Sequence, residues 1–205
     1  MAAPERSVKR WHGFAIAVAL VALVSAAGGA TYAAFRATSA NGGDRIEAGS
    51  VKLSDNGDGS ALVSLASAVP GDTTSACIAV TYDGSLPATV RLHGTTTGSG
   101  LDQYLDLKVT RGTYSPSAPA YKSCTNFQAD GTNYIGAGSG VVYNGTLQGY
   151  PDDYASGLVD PLSASPESWT TGEAHVYRID VTLQQNFAAQ GKDAAQVFRW
   201  EARNQ

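Results

Sequence analysis

The sequence predicts an all-β protein: a single antiparallel β-sandwich domain behind an N-terminal export leader. Three observations carry this reading. Beyond residue 35 the chain shows no long helical periodicity. Several short segments instead alternate apolar and polar residues with a period of two, which lays apolar side chains on one face of a strand. Turn chemistry separates them, in a 205-residue chain that holds 23 glycines.

The leader comes first. Arg6, Lys9 and Arg10 precede an apolar stretch from Phe14 to Val24, and small residues follow in Ala27-Gly28-Gly29-Ala30-Thr31-Tyr32-Ala33-Ala34-Phe35. A basic end, an apolar middle and small residues before a cut form the layout of a signal peptide. The small-residue rule places the cut after Ala33, with Thr31 and Ala33 at the positions a signal peptidase reads and Ala34 as the new N-terminus. The alternative is an uncleaved anchor, because Phe14 to Phe35 carries 22 residues without a charge and about 20 apolar residues span a bilayer. Gly28, Gly29 and Thr31 dilute that span, and Lys9-Arg10 would hold its C-terminal side outside. Both versions put residues 36 to 205 outside the cytoplasm.

Removing residues 1–33 takes away three basic residues and one acid, and moves the net charge from −4 to −6. No Lys/Arg cluster survives, so the electrostatic footprint of a nucleic-acid partner is missing. The remaining 172 residues suit one domain, and a chain of this size buries about 70% of its unfolded surface. Cys77 and Cys124 both fall in the exported part. An even pair in an oxidising compartment favours a disulfide over a catalytic thiol; two separate buried thiols are the alternative.

The strands follow in order. Val51 and Leu53 alternate with Lys52 and Ser54, and Ala61, Val63 and Leu65 with Leu62, Ser64 and Ala66. Asp55-Asn56-Gly57-Asp58-Gly59 between them has the composition of a hairpin turn. Thr74 to Tyr82 puts Ile78, Val80 and Tyr82 on one face and Cys77, Ala79 and Thr81 on the other. After Asp83-Gly84, Val90 and Leu92 sit opposite Arg91 and His93. Leu105, Leu107 and Val109 alternate with Asp106, Lys108 and Thr110. Near the end His175, Tyr177, Ile179, Val181 and Leu183 share a face, and Phe198 and Trp200 lie opposite Arg199 and Glu201. About eight short strands with turns between them make an antiparallel sandwich. Between them, the middle from about 111 to 170 reads as loop-rich. Tyr114 to Ser139 is a long loop anchored by Cys124, and Gly145 to Gly157 holds at most a short helix limited by Pro151.

The junction Gly29-Ala30-Thr31-Tyr32-Ala33-Ala34-Phe35 is followed by Ala48-Gly49-Ser50-Val51-Lys52-Leu53-Ser54, then Val63-Ser64-Leu65, Pro70-Gly71-Asp72 and Gly84-Ser85-Leu86-Pro87-Ala88. This order, with Val197-Phe198-Arg199-Trp200-Glu201-Ala202 at the end, resembles the TasA/camelysin family of secreted bacterial proteins. The similarity covers roughly residues 28 to 93 and 173 to 203 and does not extend to the middle, from about 111 to 170. The resemblance implies a jelly-roll sandwich, export through a dedicated signal peptidase, and a role at the cell surface or in a biofilm matrix. Some family members form fibres by giving the segment after the cut to the next subunit as an extra strand, and others have been described as metalloproteases.

In this chain the donated segment would be 34 to 46, ahead of the domain at 47 to 205. Ala34, Phe35, Arg36, Ala37 and Thr38 would carry assembly, with Phe35 as a pocket anchor on an exposed sheet edge of another copy. Asn41-Gly42-Gly43 interrupts the strand pattern, and a free N-terminal tail is the alternative.

Catalytic chemistry finds no support. The sequence has neither H-E-x-x-H nor G-x-S-x-G, and the exported part keeps only His93 and His175. His175 shares the apolar face, which suits a hydrogen-bonded histidine. Glu173 stands two residues from it, but two ligands do not make a zinc site. His93 is expected to be exposed beside Arg91. For calcium, Asp55, Asn56 and Asp58, or Asp152 and Asp153, lack EF-hand spacing. No cofactor is expected, with zinc and calcium left open. Glycan contact is a third possibility, since Tyr114, Tyr121, Tyr134, Tyr143, Tyr150 and Tyr154 crowd the middle, where they would form a stacking platform or cap the core. Trp169 and Trp200 read as core residues. Asn144-Gly145-Thr146 is a glycosylation sequon.

Overall fold

A computed structural model describes residues 51, 53–57, 62, 68–160 and 168–204. The leader, with Thr31 and Ala33 at its cut, lies outside the described residues, as do the segment from Ala34 to Ile46 and most of the expected strand at 61–66. Among the described residues there are nine strands: β1 (Leu53–Asp55), β2 (Thr73–Tyr82), β3 (Thr89–Gly98), β4 (Leu105–Tyr114), β5 (Phe127–Ala129), β6 (Val141–Thr146), β7 (Leu158–Asp160), β8 (Ala174–Leu183) and β9 (Ala194–Arg203). Every named pairing is antiparallel, and among the described residues helix is confined to three single 3-10 turns. The protein is all-β.

The strands form two sheets. The larger runs β1-β2-β8-β4-β5, with β6 also on β4; the smaller runs β7-β3-β9. From β2 to β4, and again from β7 to β9, successive strands alternate between the two sheets. Period-two patterning explains the packing. Ile78, Val80 and Tyr82 of β2, Leu105, Leu107 and Val109 of β4, and Tyr177, Ile179 and Val181 of β8 point inward to meet Val90 and Leu92 of β3 and Ala202 of β9. Each fully buried side chain of this kind contributes about 1.5–3 kcal/mol. Trp169, the largest, is wholly buried and bridges Ala88 by a pair of main-chain hydrogen bonds of 2.8 and 3.1 Å. Trp200 is half-buried against the same core.

The middle region is more ordered than a loop. Phe127–Ala129 adds to β4 as β5, because Gly112 lets the two backbones meet: a Cβ there would lie 2.1 Å from the Gln128 carbonyl oxygen. Leu147–Gly149 makes a single 3-10 turn ahead of Pro151. Four of the six tyrosines belong to the main core or its cover. Tyr150 lies in the core, and Tyr121, Tyr134 and Tyr143 pack against it.

Candidate functional site: a buried ionic cluster and the margins of the sheets

Polar chemistry concentrates at one end of the sandwich, around Arg111. This residue continues the inward face of β4 two positions after Val109 and is buried. Its Nε lies 2.9 Å from Oδ1 and 3.0 Å from Oδ2 of Asp160 on β7, so one guanidinium ties the two sheets together. Its other nitrogens reach Asp130, just after β5, and His175 on β8 at 2.9 Å. Tyr134 donates to the same Asp130 oxygen at 2.9 Å, and the Trp169 indole N–H donates to Asp160 at 3.1 Å.

Burial opposes the charge on Arg111, but Asp160, Tyr177 and Asp130 outweigh it and hold the guanidinium above its ordinary value. Burial pushes the Asp160 carboxyl up, against the pull of Arg111 and His175. The Tyr177 hydroxyl, wholly buried beside Asp160, is pushed well above its ordinary value by burial first and by that carboxylate second. Burial also pushes Tyr134 up.

His175 holds a divided position. Its Nε2 is 2.9 Å from Arg111 Nη2 and 3.0 Å from Glu173 Oε1. Arginine only donates, so the neutral ring accepts from Arg111; with a proton on Nε2 the ring donates to Glu173 instead. The Trp169 ring packs edge-on at 4.8 Å, and Nδ1 is buried without a hydrogen-bond partner. The expected hydrogen-bonded histidine is present, and Glu173, two residues away, is one of its partners. Among the described residues no three His, Cys, Asp or Glu side chains group as a metal site would need.

No family model matches the chain. No curated protein matches it either.

The other sequence-derived sites lie apart from this cluster. Cys77 and Cys124 form a disulfide. Cys77, Ala79 and Val176 make a small second core on the outer face of the larger sheet, covered by Tyr114, Cys124 and Phe127. His93 corrects its expectation of exposure. It is buried, and its Nε2 lies 3.1 Å from Glu201 Oε2. The physical reason is a cover distant in sequence: the 151–157 segment folds over β3, where the Gly94 N–H donates to the Pro151 carbonyl and Arg91 to the Tyr154, Ala155 and Gly157 carbonyls. Asp55 accepts from the Gly57 N–H in a tight turn. Asp153 accepts from the Ser156 N–H and hydroxyl, which hold its carboxyl below the usual range, and Asp152 is exposed. Tyr154 lies between two arginines, with the Arg203 guanidinium 3.8 Å and that of Arg91 5.2 Å from its ring centre. An open polar groove of about 740 Å³ lies between Thr95–Thr96 and the 148–156 segment.

In the smaller sheet, β9 is terminal and ten residues long. Gly94 directs its N–H away from β9, so its partner Phe198 is a non-bonded pair and Gln196, Phe198, Trp200 and Ala202 direct their main-chain groups outward. None of the described residues pairs with that side. Below it Phe198 and Trp200 are half-buried, and the Trp200 indole N–H is buried without a partner.

Proposed function

We propose that this chain is an exported structural protein of the cell surface or extracellular matrix, related to the TasA/camelysin type, which associates with copies of itself by β-strand addition. The disulfide supports an oxidising compartment. Strands that alternate between two antiparallel sheets support a jelly roll. The leader 1–33 and its cut after Ala33 rest on the sequence.

The observation that carries the reading is the outer side of β9. Ten residues of strand offer a row of unpaired main-chain donors and acceptors among the described residues, and such an edge is a template for another chain. The half-buried Phe198 and Trp200 mark that side of the core as incompletely covered, and an added strand would bring a carbonyl to the Trp200 main-chain N–H. The segment from Ala34 to Thr38, with Phe35 as anchor, is the donor.

Negative-stain electron microscopy of protein beginning at Ala34, beside protein with a blocking tag ahead of it, tests this. Filaments from the free end alone are expected. Monomers from both preparations, at high concentration and over days, would overturn it.

A further inference from the structure

The outer side of β2 is closed in pieces. Tyr82 directs its N–H toward the β8 side, where it meets the Glu173 carbonyl. Thr81, Ala79, Cys77, Ser75 and Thr73 therefore face outward. Strand β1 pairs at Thr81. At Ala79 a single residue does the same work: Asn56 Oδ1 accepts from the Ala79 N–H at 2.9 Å, and the Asn56 main-chain N–H donates to the Ala79 carbonyl at 3.2 Å. At Cys77 the guard is Lys122, whose N–H donates to the Cys77 carbonyl at 3.0 Å and whose carbonyl accepts from the Cys77 N–H at 3.3 Å.

Lys122 holds this place at φ +67°, a conformation that residues other than glycine seldom adopt. Ahead of Lys122 the loop is held by the Asn56 amide, which donates to the Pro119 carbonyl at 2.9 Å, and by Tyr121, which packs against the main core; two residues on from Lys122 the chain is bonded to Cys77 through Cys124. The covalent bond therefore fixes a strand mimic against the strand that carries its own partner cysteine.

We infer that the Cys77–Cys124 bridge is a lock on a latent self-pairing surface, the β2 margin from Thr73 to Cys77, whose occupant is the same margin of a second copy. Opening the bridge requires two electrons and two protons. A dithiol reductant supplies them, leaving two thiols on the protein and a cyclic disulfide on the reductant. Lys122 then relaxes, its loop withdraws, and Cys77 regains an open N–H and carbonyl. The second copy is the fitting partner because the strip is self-complementary. Antiparallel pairing about Ser75 sets Thr73 of each copy opposite Cys77 of the other, and Thr73-Thr74-Ser75-Ala76-Cys77 carries no charge to repel its like. The charge that guards the edge is Lys122, which leaves with the loop; charged residues are a common protection of edge strands. Such an interface is isologous and closes as a dimer. It uses a different strand from β9 and needs no donated segment, so it stands apart from the function proposed above.

The test uses protein lacking residues 34–43, with and without dithiothreitol, beside the double variant Cys77→Ala/Cys124→Ala, in which no thiol remains to cross-link copies. Opening the bridge should speed hydrogen exchange at the Cys77 amide about tenfold or more at low concentration while Ile179 and Val181 stay protected. At high concentration sedimentation should show a dimer, in the thiol-free variant as well, with protection at Cys77 restored. Unchanged exchange at Cys77 after both thiols are shown free would overturn the lock. So would exposure without dimerisation at the highest soluble concentration, or exchange of β2 and β8 together, which would make the bridge a support of the whole fold.

Discussion

Arg111 on β4 and Asp160 on β7 meet inside the sandwich, Nε of the first 2.9 Å from Oδ1 of the second, although their strands belong to different sheets. A buried pair of this kind is costly to break because the surviving charge has no water to replace its partner. Asp160→Ala should therefore destabilise the domain by about 3–5 kcal/mol, read from urea unfolding. The double variant Arg111→Met/Asp160→Leu, which removes both members of the pair and leaves Asp130 with the Tyr134 hydroxyl as donor, should recover part of that loss. An equal loss in both would show that the residues act through packing alone.

The same carboxyl fixes the sign of a pH effect. Burial raises Asp160 above its ordinary value despite Arg111, so the folded state takes up its proton more readily than the unfolded chain does. Its contribution to stability is therefore full below the unfolded carboxyl range, near pH 3.9, and is lost as pH rises through the raised folded value. Compared with Asp160→Asn, which does not titrate there, the native protein should gain relative stability on acidification through that window. The opposite slope in paired urea titrations would mean that the pull of Arg111 exceeds the effect of burial.

The sequence patterns that were legible are those with one buried face. In β4 and β8 every second residue meets the core, so alternation located both strands within a few residues, and the odd inward position was Arg111 itself. An arginine in step with Leu105, Leu107 and Val109 demands a buried acid, a signal the alternation read only to Thr110 leaves unused, and nothing in the sequence names Asp160, which belongs to a three-residue strand. His93 was misread for the converse reason. Alternation tells which face a side chain takes, not whether a distant segment covers that face, and residues 151–157 do so here. Strand β5 escaped because three residues carry no period, and the approach allowed by Gly112 is a property of two strands together.

Loss of the Cys77–Cys124 bridge should lower stability without abolishing the fold. The cysteines are 47 residues apart, for which chain entropy gives about 4 kcal/mol, an upper figure if the reduced chain keeps residual structure. Paired urea unfolding of the native protein and the Cys77→Ala/Cys124→Ala variant measures it. No difference in midpoint would show that the loop holds its place unaided.

Gly112→Ala should act on one strand pair. The added Cβ would lie 2.1 Å from the Gln128 carbonyl oxygen and 2.7 Å from the Phe127 ring, and relieving such overlap in a packed region costs about 1–3 kcal/mol. Strand β5 is the piece able to yield, since it holds three residues at the margin. Faster hydrogen exchange at Phe127 to Ala129, with β4–β8 protection retained, is the expected outcome. Protection lost across β4 and β8 as well would show that β5 is integral to the larger sheet.

Gln196→Pro separates the two sides of β9. The main-chain N–H of Gln196 points away from β3, in step with Phe198, so proline there removes no bond of the β3–β9 ladder. It also leaves an edge unable to bond an incoming strand at that position, which is how proline is tolerated on sheet margins. The Gln196 side chain accepts a hydrogen bond from Thr96, and its loss is a modest cost on one partly buried pair, about 1 kcal/mol. The variant should fold, keep the near-ultraviolet signature of Trp169 and Trp200, and fail to form filaments from an Ala34 terminus that assembles in the native protein. Val197→Pro is the matching control. Its N–H does face β3, so it should unfold the strand rather than block its margin. Filaments as abundant from Gln196→Pro as from the native protein would place the acceptor on another edge.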